Sequence, residues 1–190
     1  MNDADPITPP PHTTADAGDT TRTGRPEQPA AAAIRDLLDA VCDPEIPVLT
    51  IADLGILRSV RVDPDGRNPV VTITPTYSGC PAMDTITRDI RTVLARHGYP
   101  DATVRTVLLP AWTTDWMTDT GRAKLEAYGI APPSGRATVR GGTVPLTLSV
   151  RCPRCGSTDT REMSHFGSTS CKALWVCQAC AEPFDHFKVH

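Results

Sequence analysis

The chain has 190 residues, carries a net charge of -3 and draws 39% of its residues from the hydrophobic set. That length suits one or two modest domains, and the acidic balance argues against a nucleic-acid protein, whose domain would be basic. No apolar run reaches the roughly eighteen residues of a membrane span and no basic-then-apolar leader opens the chain, so the seven cysteines point to a reducing compartment, the cytoplasm.

Residues 1–28 are rich in Pro, Thr, Ala and Asp and nearly lack large apolar side chains. Burial cannot offset their ordering entropy, so a disordered tail is expected. An amphipathic helix follows near Ala31 to Cys42, with Ile34, Leu37, Leu38 and Val41 on one face. Pro44 and Pro47 end it and hold the next stretch extended. Ile56 to Val62 reads as a strand, Asp63-Pro64-Asp65-Gly66 as a turn, and Pro69 to Thr76 as the second strand of a hairpin. Gly79-Cys80-Pro81 opens a helix to about His97, whose apolar stripe is Met83, Ile86, Ile90, Val93 and Leu94. Gly98 and Pro100 stop it, Ala102 to Leu109 is a third strand, and a last helix spans about Asp115 to Tyr128. The order α-β-β-α-β-α describes a small two-layer α+β domain over residues 29–131. Residues 132–147 are expected as a linker, with Gly141-Gly142 as its flexible point, and residues 148–190 as a metal-held ribbon.

That ribbon rests on Cys152-Pro153-Arg154-Cys155-Gly156 and Cys177-Gln178-Ala179-Cys180. Two Cys-x-x-Cys pairs about twenty residues apart have the spacing of a four-thiolate site, because each two-residue gap lets both sulfurs face one ion. So small a segment has little core of its own and folds with its metal. His165, His186 and His190 fit the spacing less well. Cys171 is a fifth, surplus thiol, either packing or reactive, and Lys172 beside it would favour a thiolate.

Cys80 is the second site of interest. With Pro81 at the first helical position, Cys80 is expected at the helix N-cap, where free N–H groups and the helix dipole favour a thiolate and a lowered pKa. The alternative is a buried, inert cysteine. Asp43 and Glu45 in Asp43-Pro44-Glu45, and Asp53 in Asp53-Leu54-Gly55, are the acidic candidates, set against a bland role in turns. Cys42 reads as structural. Trp112, Trp116 and Tyr128 either cap the core or, if exposed, mark a protein interface.

Two resemblances cover nearly all of residues 30–190. Asp43-Pro44-Glu45-Ile46-Pro47, Asp53-Leu54-Gly55 and Ser78-Gly79-Cys80-Pro81 resemble the domain of SufT-type iron–sulfur assembly proteins, which implies a functional role for Cys80 in handling iron or a transient iron–sulfur cluster. Pro110-Ala111-Trp112-Thr113-Thr114-Asp115-Trp116, Tyr128-Gly129-Ile130-Ala131-Pro132-Pro133, Phe166-Gly167-Ser168-Thr169-Ser170-Cys171-Lys172-Ala173 and Glu182-Pro183-Phe184-Asp185-His186-Phe187-Lys188 resemble the PaaD (also called PaaJ) family of the phenylacetyl-CoA epoxidase system. That resemblance implies an assembly-like domain followed by a four-cysteine zinc ribbon. It implies a non-catalytic accessory subunit in aerobic phenylacetate breakdown that assists cluster assembly or insertion. The partners it implies are the other epoxidase subunits, above all the iron–sulfur reductase; a homodimer is a further expectation, and neither nucleic acid nor membrane is a partner. Cys152-Pro153-x-Cys155-Gly156 also resembles a rubredoxin knuckle, which keeps iron and an electron-transfer subunit as the alternative. The second knuckle departs from that pattern with Gln178 and Ala181.

Overall fold

The computed structural model describes residues 29–133 and 150–189. The N-terminal tail, most of the linker with Gly141-Gly142, and His190 lie outside the described residues. Helix α1 spans Pro29–Leu38, shorter than its periodicity predicts, and buries Ala31, Ile34 and Leu38. The chain then turns, and Cys42 makes an isolated antiparallel bridge with Thr50 rather than ending the helix.

Strands β1 (Leu57–Val62) and β2 (Pro69–Ile73) form the expected antiparallel hairpin, with Val60 opposite Val71. The Asp63 carboxylate accepts from Arg67 N–H at 2.7 Å and fixes the turn between them. Helix α2 (Ala82–Arg96) crosses over, so that β3 (Thr103–Thr106) lies parallel to β2 in a sheet of order β1-β2-β3. Its buried residues Ala82, Ile86, Ile90 and Leu94 recur every four positions, close to the period of one helical face. They meet α1 and the inward side chains Val71 and Ile73 in one core.

The last helix is interrupted. A 3₁₀ turn at Thr114–Trp116 precedes α3 (Asp119–Tyr128), because Thr118 leaves helical geometry to cap α3, accepting from Gly121 N–H at 2.9 Å. Gly129 ends α3 with φ +90°, and β4 (Ile130–Ala131) follows at once.

β4 pairs in parallel with β7 (Pro183–Phe187), which pairs with β6 (Lys172–Cys177), which pairs with β5 (Thr160–Ser164). The first domain thus feeds a strand into the ribbon's sheet. The ribbon returns the contact: Phe187 and Cys171 are buried in the core of the first domain, and Trp112 lies 6.1 Å from Phe187 between ring centroids. The ribbon's own core is small: Ala131, Val150, Cys152, Ala173, Trp175, Cys177 and Phe184. Among the described residues no helix is long and apolar enough to cross a membrane.

Candidate functional site

The two knuckles of the ribbon are built alike. In the first, Gly156 N–H donates to Cys152 C=O at 2.9 Å and Gly156 takes φ +76°. In the second, Ala181 occupies the equivalent position with φ +63°. An alanine therefore holds a conformation usually left to glycine. The Sγ atoms of Cys155 and Cys177 lie 3.5 Å apart and those of Cys152 and Cys180 3.9 Å, and all four lie within 4.8 Å of one another. A tetrahedral ion with Zn–S bonds of about 2.3 Å separates its sulfurs by about 3.8 Å, so the four thiols fit one ion. Backbone N–H groups of Ser157, Glu182, Ala179 and Cys180 point at the sulfurs. Those of Cys180 and Ala179 hold the Cys177 thiol down to about 7. At Cys180 the Glu182 N–H acts in the same direction, but burial and the neighbouring thiols outweigh it and push the group up to about 12. Four sulfurs this close cannot all hold negative charge without a cation among them. His186 stands apart from this group, buried on β7 with its ring edge-on to Trp175.

Cys80 sits in the loop between β2 and α2, after Gly79 with φ +86°. The N-cap of α2 is Pro81, so Cys80 stands one residue before the expected position. Its thiol does receive the Ala82 N–H. Its pKa is nevertheless raised, not lowered as the sequence predicts, because burial and the carboxylates of Glu45 and Asp43 outweigh the helix N–H and the Tyr77 hydroxyl. Those carboxylates come from a loop 35 and 37 residues earlier in the chain, outside the local pattern around Cys80.

Asp43 is 8% exposed, and its Oδ1 accepts from Glu45 N–H at 2.8 Å and Ile46 N–H at 2.9 Å. Burial raises its pKa against those two donors. Glu45 is half-buried, and burial together with Asp43 raises it as well. Asp53 has a different set of partners. Its carboxylate accepts from Thr50 N–H at 3.1 Å, Thr118 Oγ1 at 3.3 Å and Lys124 Nζ at 2.6 Å. Burial pushes it up, but Lys124 and Thr50 together hold it below its ordinary value. The glycine of the same motif is needed for space: a Cβ on Gly55 would lie 2.4 Å from the Trp116 carbonyl oxygen.

The ribbon supplies the rest of the Cys80 surroundings. The Tyr77 hydroxyl interacts with Ser170 as well as with Cys80. Cys171 is 5% exposed, its Sγ 3.1 Å from Thr169 Oγ1. Burial raises its pKa, and Glu45 and Asp43 add to this while Lys172 opposes it. Sequence singles out Cys171 and Lys172 but gives no sign that they fold back onto the loop of Asp43 and Glu45. Of the three aromatics, Trp112 is buried and donates from Nε1 to Leu54 C=O at 2.9 Å, Trp116 lies under the Arg58 guanidinium, and Tyr128 is exposed.

Comparison with known proteins divides the chain in the same way. Residues 31–109 match a family described as iron–sulfur cluster assembly protein, and residues 138–188 match one described as the PaaD zinc beta ribbon domain. A protein of Escherichia coli (strain K12) named as a component of 1,2-phenylacetyl-CoA epoxidase is 49% identical over 80% of this chain and 88% of its own length. An Fe–S protein maturation auxiliary factor of Porphyromonas gingivalis is 37% identical over 47% of this chain and 84% of its own. A crystal structure of a domain of unknown function from Bacillus anthracis is 30% identical, covers 50% of this chain and 91% of its own, and superposes with a TM-score of 0.48.

Proposed function

The chain belongs to the PaaD family of 1,2-phenylacetyl-CoA epoxidase components, and from that premise we propose that it assists assembly or insertion of an iron–sulfur cluster in that epoxidase system. The observation that carries this reading is the surroundings of Cys80. A half-buried thiol stands in an assembly-type domain with the carboxylates of Glu45 and Asp43 and the Tyr77 hydroxyl around it. Such a thiol rests protonated. A cation arriving beside those carboxylates favours the thiolate, and the thiol proton leaves to solvent as the metal binds. Iron or cluster is then cargo, held at Cys80 and passed on; the client is the iron–sulfur reductase of the system.

The ribbon has a different part. Cys152, Cys155, Cys177 and Cys180 would hold zinc as a closed structural site, whose chemistry is to organise the fold without redox change. The folded ribbon packs Phe187 and Cys171 into the first domain and offers its outer face to the other subunits. A second reading places iron at the same four thiols in an electron carrier, where the N–H groups aimed at the sulfurs in both knuckles would help set its potential. Anaerobic purification with a visible spectrum separates the two, since zinc–thiolate is colourless and iron–thiolate absorbs. The role at Cys80 is tested by complementation. Cells lacking this chain should not grow on phenylacetate, wild-type chain should restore growth, and Cys80→Ala should not. Full rescue by Cys80→Ala removes Cys80 from the function.

A further inference from the structure

Cys171 does not belong to the ribbon's own core. It is buried among the residues of the first domain, in the cluster against which Cys80 also packs. The turn that carries it is tightly fixed. Gly167 N–H donates to Lys172 C=O at 2.8 Å, Lys172 N–H to Thr169 C=O at 3.2 Å, and Lys188 N–H to Cys171 C=O at 3.0 Å. Asp185 anchors the same turn, accepting from Ser168 Oγ at 3.1 Å and pairing with Lys172 Nζ at 3.3 Å. A Cβ on Gly167 would lie 2.8 Å from Asp185 Oδ1, so a larger residue there would displace that carboxylate.

What the turn delivers is a second thiol to the Cys80 surroundings. Ser170 meets Tyr77, and Tyr77 meets Cys80. Glu45 and Asp43 act on both thiols, Glu45 the more strongly on each. Asp43 already serves two backbone N–H groups, and Lys172, which acts on both carboxylates, is held by Asp185. The junction thus gathers two thiols, two carboxylates and a phenol, a donor set suited to a borderline-soft divalent cation.

We propose that Cys80 and Cys171 together form a two-thiol site for such a cation, ferrous iron as cargo, between the two modules, with Glu45 as the carboxylate that joins them. This rests on the reading of Cys80 as an iron-handling residue and adds that the ribbon completes the site. Binding replaces two S–H bonds by two metal–sulfur bonds, and both protons go to solvent. Among the described residues only the four ribbon cysteines gather three or more metal-binding atoms within 4.8 Å. Cys80, Cys171 and Glu45 do not stand together within that distance as a set, so binding must bring in at least one of the three, and the turn that holds Cys171 is the fixed part.

The test uses the full chain with its ribbon thiolates saturated with zinc, under anaerobic reducing conditions, and cobalt(II) as the probe. Wild type should bind one cobalt with a near-ultraviolet thiolate-to-cobalt band from two sulfurs. Cys171→Ser and Cys80→Ser should each halve that band or abolish binding, while Cys42→Ser leaves it unchanged. A full band in Cys171→Ser with loss in Cys80→Ser overturns the shared site and leaves the single-thiol reading standing. A full band in both variants removes cation binding at Cys80 as well. Should Cys171→Ser not fold, the wild-type chain still decides. Phenylarsine oxide condenses with two neighbouring thiols, releasing water, and peptide mapping should find arsenic bridging Cys80 to Cys171. Absence of that bridge overturns the proposal.

Discussion

Asp53→Ala separates a structural carboxylate from a functional one. The Asp53 carboxylate accepts from Thr50 N–H, Thr118 Oγ1 and Lys124 Nζ, while Thr118 N–H donates to the Asp53 carbonyl at 2.9 Å. The group therefore ties the loop before β1 to the start of α3. Removing the carboxylate leaves the partly buried Thr50 N–H without that acceptor, a cost of about 1–3 kcal/mol, and breaks two further bonds to a charged group. Because these losses overlap, about 3 kcal/mol in all is expected, or roughly 10 °C in melting temperature. Lys124 is 40% exposed, so Lys124→Ala should cost only about 0.5–1 kcal/mol. The pH dependence has a definite sign. The folded pKa is lowered, so this stabilisation is present above the ordinary carboxyl value and is lost as pH falls through the folded one. Thermal melts of both variants with metal present measure the pair. Melting of Asp53→Ala within about 2 °C of wild type, less than 1 kcal/mol, refutes the clamp.

Gly55→Ala, whose Cβ would lie 2.4 Å from a backbone oxygen at φ +70°, should cost more than about 3 kcal/mol in a chemical denaturation. Gly79→Ala, with φ +86° but open space, should cost only about 1 kcal/mol. Cys177→Ser should lose the ribbon metal and unfold residues 150–189, since such sites contribute on the order of 10 kcal/mol; full metal content in that variant contradicts the assignment. Burial holds the His186 imidazole down to about 4, so the unfolded chain takes up the proton first and stability falls as pH drops below the ordinary His value. Between pH 7 and about pH 5 the loss should be about 2 kcal/mol, and His186→Leu with zinc in excess should lack that component.

The sequence patterns that proved readable were the local ones. The stripe Ile86, Ile90 and Leu94, the hairpin turn at Asp63 to Gly66 and the two cysteine knuckles each depend on residues close together in the chain, and they appear where spacing puts them. The break at Thr118 was missed because helical spacing runs through it, while Asp53, 65 residues away, holds the Thr118 hydroxyl. The raised pKa of Cys80 was missed for a similar reason: Glu45 and Asp43 outweigh the local N–H group. The same holds for Cys171, whose burial comes from the first domain and not from the ribbon that carries it. Periodicity describes the faces of elements; it is silent on which faces meet.

Delivery of iron or cluster through Cys80 should be visible on the client we propose. The iron–sulfur reductase of the epoxidase system should be purified anaerobically from cells carrying either wild-type chain or Cys80→Ala, and its iron and acid-labile sulfide measured per polypeptide. A loaded reductase is expected in the first case and a cluster-poor one in the second, with equal amounts of the folded chain in both. A fully loaded reductase from the Cys80→Ala cells would contradict it.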